Sequence, residues 1–394
     1  MSADIFEKCV NFNVVNDLRQ AGFYPYFHRV ESAQGPEIIV EGKKKIIVCS
    51  NNYLGLANHP KVIEASAAAA KQYGTSCTGS RFLNGTNDLH EKVENKFANF
   101  VGKEAAVLFT TGHHSNLGAL QSLVAKGEVL VTDKLDHASI IDGCRLSFGE
   151  MARFRHNDIS DLERILKKYE GKAMLIVVDG IFSMEGDIAN LPEIARLAKI
   201  YGARVFVDEA HSLGVIGKNG KGTGEHFEIE DSVDVLMATA SKSLASIGGF
   251  IASKKEVIDY VKHIARPMIF TASLPPACVG AIDAALDLAV AEPERRTNLM
   301  NSAKKMNAAF KAMGYNTNKS ETPIIPLTVG DDMTAFKMWR MLFDEGVFAS
   351  PVVTPGVPEG QAIIRTSYMA THTDDHLNFI LEKFEKVGKL LGVI

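Results

Sequence analysis

Lys242 stands between two hydroxyls in Ala240-Ser241-Lys242-Ser243, and a lysine in that setting can form a Schiff base while its neighbours hold a phosphate. Asp208 opens Asp208-Glu209-Ala210-His211, directly after an apolar run, where a carboxylate is costly unless a cation or donor pairs with it. His137, in Asp136-His137-Ala138-Ser139, can stack on a flat ring or shuttle a proton. Gly112, in Thr111-Gly112-His113-His114, lets backbone N–H groups approach an anion at the start of a helix. Ser183 lies in a polar turn from Asp179 to Asp187 that also carries Glu185. Singly, each has a bland counterpart: a surface lysine, a solvated acidic loop, a core histidine, an ordinary tight turn.

The elements that must position these residues are short apolar runs: Ala105 to Phe109, Glu128 to Thr132, Ala173 to Val178, Ala203 to Val207, Asp234 to Thr239 and Gly248 to Ser253. Near-continuous apolar strands fit a sheet covered on both faces. Between them the spacing predicts amphipathic helices over Asp158 to Tyr169 and Leu191 to Tyr201, the second with Pro192 in its first turn and Gly202 as its stop. Strand and helix alternate, which predicts an α/β fold with a mostly parallel sheet. In such a sheet ligands bind beyond the carboxyl ends of the strands, and every residue named above follows a strand end. An anion cradle, a ring-facing His, a buried Asp and a hydroxyl-flanked Lys on one sheet edge describe a site for pyridoxal 5'-phosphate.

Composition narrows the rest. The chain has 394 residues, with 43 Lys and Arg against 47 Asp and Glu and a formal net charge of -4. That balance argues against a broad basic surface for nucleic acid. No apolar run approaches the roughly 20 residues of a membrane span, and the N-terminus lacks the basic and apolar regions of a secretory signal, so a cytoplasmic protein is expected. The five Cys show no C-x-x-C pair, and His113-His114 project in different directions, so no metal site is expected. Gly217 to Gly224 follows no strand in the place a dinucleotide-binding turn requires and reads as a loop. The expected organisation is an N-terminal arm over 1–58, a large cofactor domain over 59–285 and a small α/β C-terminal domain over 286–394.

From about Asn51 onward the chain resembles the α-oxoamine synthases, which are fold-type I pyridoxal-phosphate transferases. The resemblance rests on NNYLGLANHP, GSRFLNGT, DHASIIDG, FSMEGDIA, VDEAHSLGVIGKNGKG, TASKS, RPMIFTASLPP and IIRTS. It implies that Lys242 is the Schiff-base lysine, that Asp208 pairs with the pyridinium nitrogen and that His137 stacks on the ring. Ser183 and His211 would lie near the phenolic oxygen. Backbone groups of Gly112 and His113 and the hydroxyls of Thr239 and Ser241 would take the phosphate. It further implies a homodimer with shared active sites, in which Thr271 and Ser273 complete the partner's phosphate site, and a substrate carboxylate held by Arg365 with help from Asn52. The chain departs from the family pattern at His113, where an aromatic residue is usual, and at Ala240, where a larger one is common.

The implied reaction is a decarboxylating condensation of an amino acid with an acyl-CoA to give an aminoketone. GSRFLNGT, ARFRHND and RPMIFTASLPP resemble the soluble bacterial serine palmitoyltransferase branch, whereas VPEGQAIIRTS and NNYLGLANHP resemble aminoketobutyrate CoA ligase. An acyl-chain substrate could draw such an enzyme to a membrane surface.

Overall fold

The computed structural model describes residues 4–394. The first strands are β1 (Glu37–Val40) and β2 (Lys43–Ile47). A central group follows: β3 (Ala105–Phe109), β4 (Val129–Asp133), β5 (Glu150–Phe154), β6 (Met174–Asp179), β7 (Arg204–Asp208), β8 (Val235–Thr239) and β9 (Gly249–Ser253). The C-terminal part holds β10 (Ile324–Gly330), β11 (Val347–Phe348), β12 (Ser350–Val352) and β13 (Ala362–Ser367).

The central seven form one sheet in the order β3-β9-β8-β7-β6-β4-β5. All neighbours from β5 across to β8 pair in parallel, and β9 runs antiparallel to both β8 and β3. Every residue of β4, β6, β8 and β9 is buried, which is why these segments read as unbroken apolar runs. The edge strand β5 escapes that reading because only Phe154 of its five residues is buried.

Two apolar layers cover the sheet. On one face Val93, Phe97, Ile165, Leu197 and Ile282 pack in a single core with Ile176 and Val207. On the other, Ala119, Leu120, Ile140, Ile258 and Val261 pack against Val177, Phe206 and Met237. The predicted helices form at Ile159–Lys168 and Leu191–Tyr201. Asp158 caps the first by accepting from the Asp161 N–H, and Gly202 ends the second in the left-handed conformation.

The C-terminal part builds a second core. Strands β10, β13 and β12 form an antiparallel sheet whose core includes Trp339, Leu342, Ile380 and Phe384. Strands β1 and β2, which lie within the expected arm, pair with each other, β2 also pairs with β11, and Ile38, Val40, Ile47 and Val48 join that same core. The helix Pro276–Ala291 keeps Leu286, Leu288 and Ala289, which lie past the expected boundary at 285, in the large core. Among the described residues no helix is long and apolar enough to cross a membrane.

Candidate active site

The chain segments leaving β3, β4, β6, β7 and β8 converge at one sheet edge around a cavity of about 320 Å³. It is lined by Gly112, His113, His137, Ser183, Asp208, His211, Thr239, Ser241 and Lys242, and also by Asp179. A larger crevice of about 510 Å³ opens at the opposite edge, where the strands begin. Its apolar strand starts and peripheral charges hold none of the expected chemistry, so the smaller cavity is the site.

Close backbone approach shapes one end. Thr111 caps the helix Gly112–Leu123 by accepting from the His114 N–H at 3.0 Å. A Cβ on Gly112 would lie 2.9 Å from the Thr239 side chain, and one on Gly249 would lie 2.6 Å from Gly112 Cα. The two glycines therefore let the helix N-terminus and the β8–β9 connection meet, where the Thr239 and Ser241 hydroxyls bond each other at 2.9 Å. Free helix N–H groups beside two hydroxyls form a donor set suited to a phosphate.

Asp208 ends β7, 3% exposed, and its carboxylate accepts from Ala210 N–H at 2.9 Å and from Asn116 Nδ2 at 2.7 Å. Asn116 also donates to Ser139 Oγ at 2.9 Å, and Ser139 Oγ lies 2.7 Å from His137 Nδ1. This chain of contacts fixes the His137 ring relative to Asp208. The His137 backbone N–H meets the Asp179 carboxylate at 2.8 Å. Burial and the nearby Asp208 charge push Asp179 well above the usual carboxylate range.

Burial pulls the Lys242 amine down to about 8, against the upward pull of Asp208 and Asp179. An amine titrating there is unprotonated in part near neutrality, as a Schiff-base former and proton acceptor must be. Burial, with Lys242, Arg365 and His137 around it, holds His211 well below the ordinary imidazole value, so the ring is neutral.

Arg365 lies on β13, buried, and its Nε donates to the Ser183 carbonyl at 2.6 Å. Its Nη2 donates to Asn51 Oδ1 at 3.2 Å. Both of these partners are neutral, which leaves a buried guanidinium able to take an anion.

Two groups of expected residues lie elsewhere. The Asn52 amide oxygen accepts from the Ala57 N–H and closes a turn, so Asn51 rather than Asn52 meets Arg365. Thr271 and Ser273 do not line this cavity; they flank the isolated Ser80–Ala272 bridge, and the Ser273 hydroxyl is buried within its own chain, where a Cβ on Gly85 would touch it. Residue-by-residue reading missed Asn51, Tyr53, Asn116, Ser139 and Asp179. Asn116 had one available signal: it follows Gly112 by one helical turn and so shares its face.

Comparisons with known proteins agree with this architecture. A serine palmitoyltransferase of Sphingobacterium spiritivorum is 46% identical over 384 residues, covering 97% of this chain and 96% of that protein. An 8-amino-7-oxononanoate synthase of Thermoanaerobacter pseudethanolicus is 42% identical over 382 residues, covering 96% and 97%. A high-resolution structure of SPT with its PLP internal aldimine superposes with a TM-score of 0.96 at 36% identity, covering both chains fully. The family model for aminotransferase class I and II matches residues 43–384. With that match across most of its length, the chain belongs to the aminotransferase class I and II family.

Proposed function

We propose that the protein is a pyridoxal-phosphate-dependent acyltransferase of the α-oxoamine synthase type, which condenses an amino acid with an acyl-CoA thioester and releases CoA and CO2. The substrates that fit its relatives' names best are L-serine and palmitoyl-CoA, giving 3-ketodihydrosphingosine. The observation that carries the reading is the placing of Lys242, with its amine near 8, in one cavity with Asp208 and the phosphate-suited donors at Gly112, Thr239 and Ser241.

When bound, the cofactor supplies an aldehyde that links to amines and a ring that accepts electrons from the substrate's α-carbon. Gly112 and His113 N–H groups and the Thr239 and Ser241 hydroxyls would hold its phosphate. Asp208, oriented by Asn116, would keep a proton on the ring nitrogen. His137, fixed through Ser139, would cover the ring face. Ser183 and His211 would face its phenolic oxygen. Lys242 would take the substrate's α-proton at Nζ and later return it. Arg365 holds the substrate carboxylate bidentately, with Asn51 steadying the guanidinium.

In this reading the enzyme works in the cytoplasm, where its five free cysteines stay reduced. It acts as a homodimer whose partner subunit contributes to the phosphate site through the Thr271 region. The relatives named 8-amino-7-oxononanoate synthase support a second reading, in which another amino acid and acyl group are used; glycine with acetyl-CoA is a further member of that set. One experiment separates these. Purified protein should be yellow and lose its absorbance band on borohydride trapping at Lys242. To separate, unreduced protein serine, glycine and alanine are added singly with palmitoyl-CoA or acetyl-CoA, and CoA release is followed. Release with serine and palmitoyl-CoA supports the first reading; release only with glycine and acetyl-CoA or with alanine moves the assignment; colourless protein overturns the cofactor.

A further inference from the structure

Tyr53 is fully buried, although it belongs to the N-terminal turn and not to the sheet edge that builds the cavity. Its carbonyl accepts from the Ala370 N–H at 2.7 Å and its N–H donates to the Asn51 carbonyl at 2.8 Å, so the backbone is held at both ends. The ring meets His211 edge to face, with centroids 6.0 Å apart at 66°. Its hydroxyl lies 2.7 Å from His211 Nδ1 and 3.3 Å from Asn51 Oδ1.

A phenol has one proton to give, and the surroundings decide where it goes. Burial pushes the Tyr53 phenol up to about 12, against a smaller opposing pull from the Arg365 charge, so the proton stays on the oxygen. Asn51 Oδ1 already accepts from Arg365 at 3.2 Å, and its 3.3 Å separation from the hydroxyl exceeds the usual O–H···O range. The 2.7 Å contact to Nδ1 is the one with hydrogen-bond length. Nδ1 then accepts, and a neutral imidazole whose Nδ1 accepts carries its proton on Nε2.

We propose that Tyr53 is a positioning residue that locks His211 in the Nε2–H tautomer and so sets the donor that this cavity-lining imidazole offers. The tautomer is a property of this chain alone. Its use, a donor aimed at the phenolic oxygen of the cofactor, rests on the function proposed above.

The test is nitrogen-15 NMR of the full-length protein as purified, labelled at histidine, with the His211 resonances assigned by their loss in His211→Gln. The native protein should show His211 protonated at Nε2. Tyr53→Phe, which keeps the ring and removes one oxygen, should shift the tautomer ratio by about tenfold toward Nδ1–H, the equivalent of one lost hydrogen bond. It should also lower kcat more than it changes KM for the amino acid. Asn51→Ala should leave the Nε2–H tautomer in place even if it weakens substrate binding. An Nδ1–H signal in the native protein, an unchanged ratio in Tyr53→Phe, or a tautomer switch in Asn51→Ala would overturn the proposal. If the protein proved to carry no cofactor, the proposed function would fail while the tautomer result would stand.

Discussion

Asp208 is a buried carboxylate whose two oxygens are occupied by donors from its own chain, Ala210 N–H and Asn116 Nδ2, and it still faces the cavity. Neither donor carries a full charge, and under the proposed function a protonated ring nitrogen would balance it. Asp208→Asn keeps the shape and loses that balance. The expected result is a fall in kcat of about a hundredfold or more, as for other preorganised electrostatic partners, with the cofactor absorbance retained; equal loss of colour and turnover would point to a holding role instead. At this scale Lys242, Asp208 and His137 were legible because each follows an apolar strand, and strand ends converge. Tyr53 was not, because an N-terminal turn reaches the site only through tertiary packing, and Asn116, one turn into the helix Gly112–Leu123, offered only its shared face with Gly112. Asn51 and Asn52 could not be told apart from spacing, since neighbours in an irregular turn point different ways.

Among the elements, the ends of β4, β5 and β6 are tied together by one imidazole. His156, just past β5, lies 3.1 Å from Asp133 at the end of β4 and 3.1 Å from Asp187 in the loop after β6, and it packs edge to face on Phe182. Burial pulls its pKa down, but the hydrogen bonds and charges of the two carboxylates outweigh burial and hold it up to about 10. The folded value lies above the ordinary 6.5, so the protonated clamp stabilises fully below about 6.5, and the contribution drains away as pH rises toward about 10. His156→Gln should cost about 3 kcal/mol in urea unfolding at the acid end of that window, with the gap from native protein narrowing toward the alkaline end. A gap constant with pH would mean that the imidazole is neutral in the fold. The same loop carries Ser183, whose carbonyl receives Arg365, so KM for the amino acid should rise in the variant. The strand β5 that delivers His156 had no continuous apolar signal, because an edge strand need bury only one residue in this setting. Interior strands and the capped helices were legible because burial on both faces and capping chemistry act locally.

For the whole molecule, the partition into arm, large domain and small domain was visible only in outline. Pairing of β2 with β11 joins residues about 300 apart, and no local pattern encodes that register. The outer surface carries a different message. Phe82 and Phe270 are 48% and 73% exposed, and the Ser80–Ala272 bridge brings their segments together near Thr271. Large apolar side chains gathered on a surface mark a contact with another molecule, and a second copy of the chain is the partner the proposed function requires. Mixed dimers test it. Under the proposed function, Lys242→Ala removes the Schiff-base lysine of its own site, and Thr271→Ala would weaken the phosphate site of the partner. If sites are shared, each hybrid holds one site with both lysine and threonine intact. Random reassociation of equal amounts makes about half the dimers hybrids, so activity should recover to about a quarter of native. Activity that never exceeds the average of the two parent variants would place Thr271 outside the partner's site and leave each chain to build its phosphate cradle from Gly112, Thr239 and Ser241 alone.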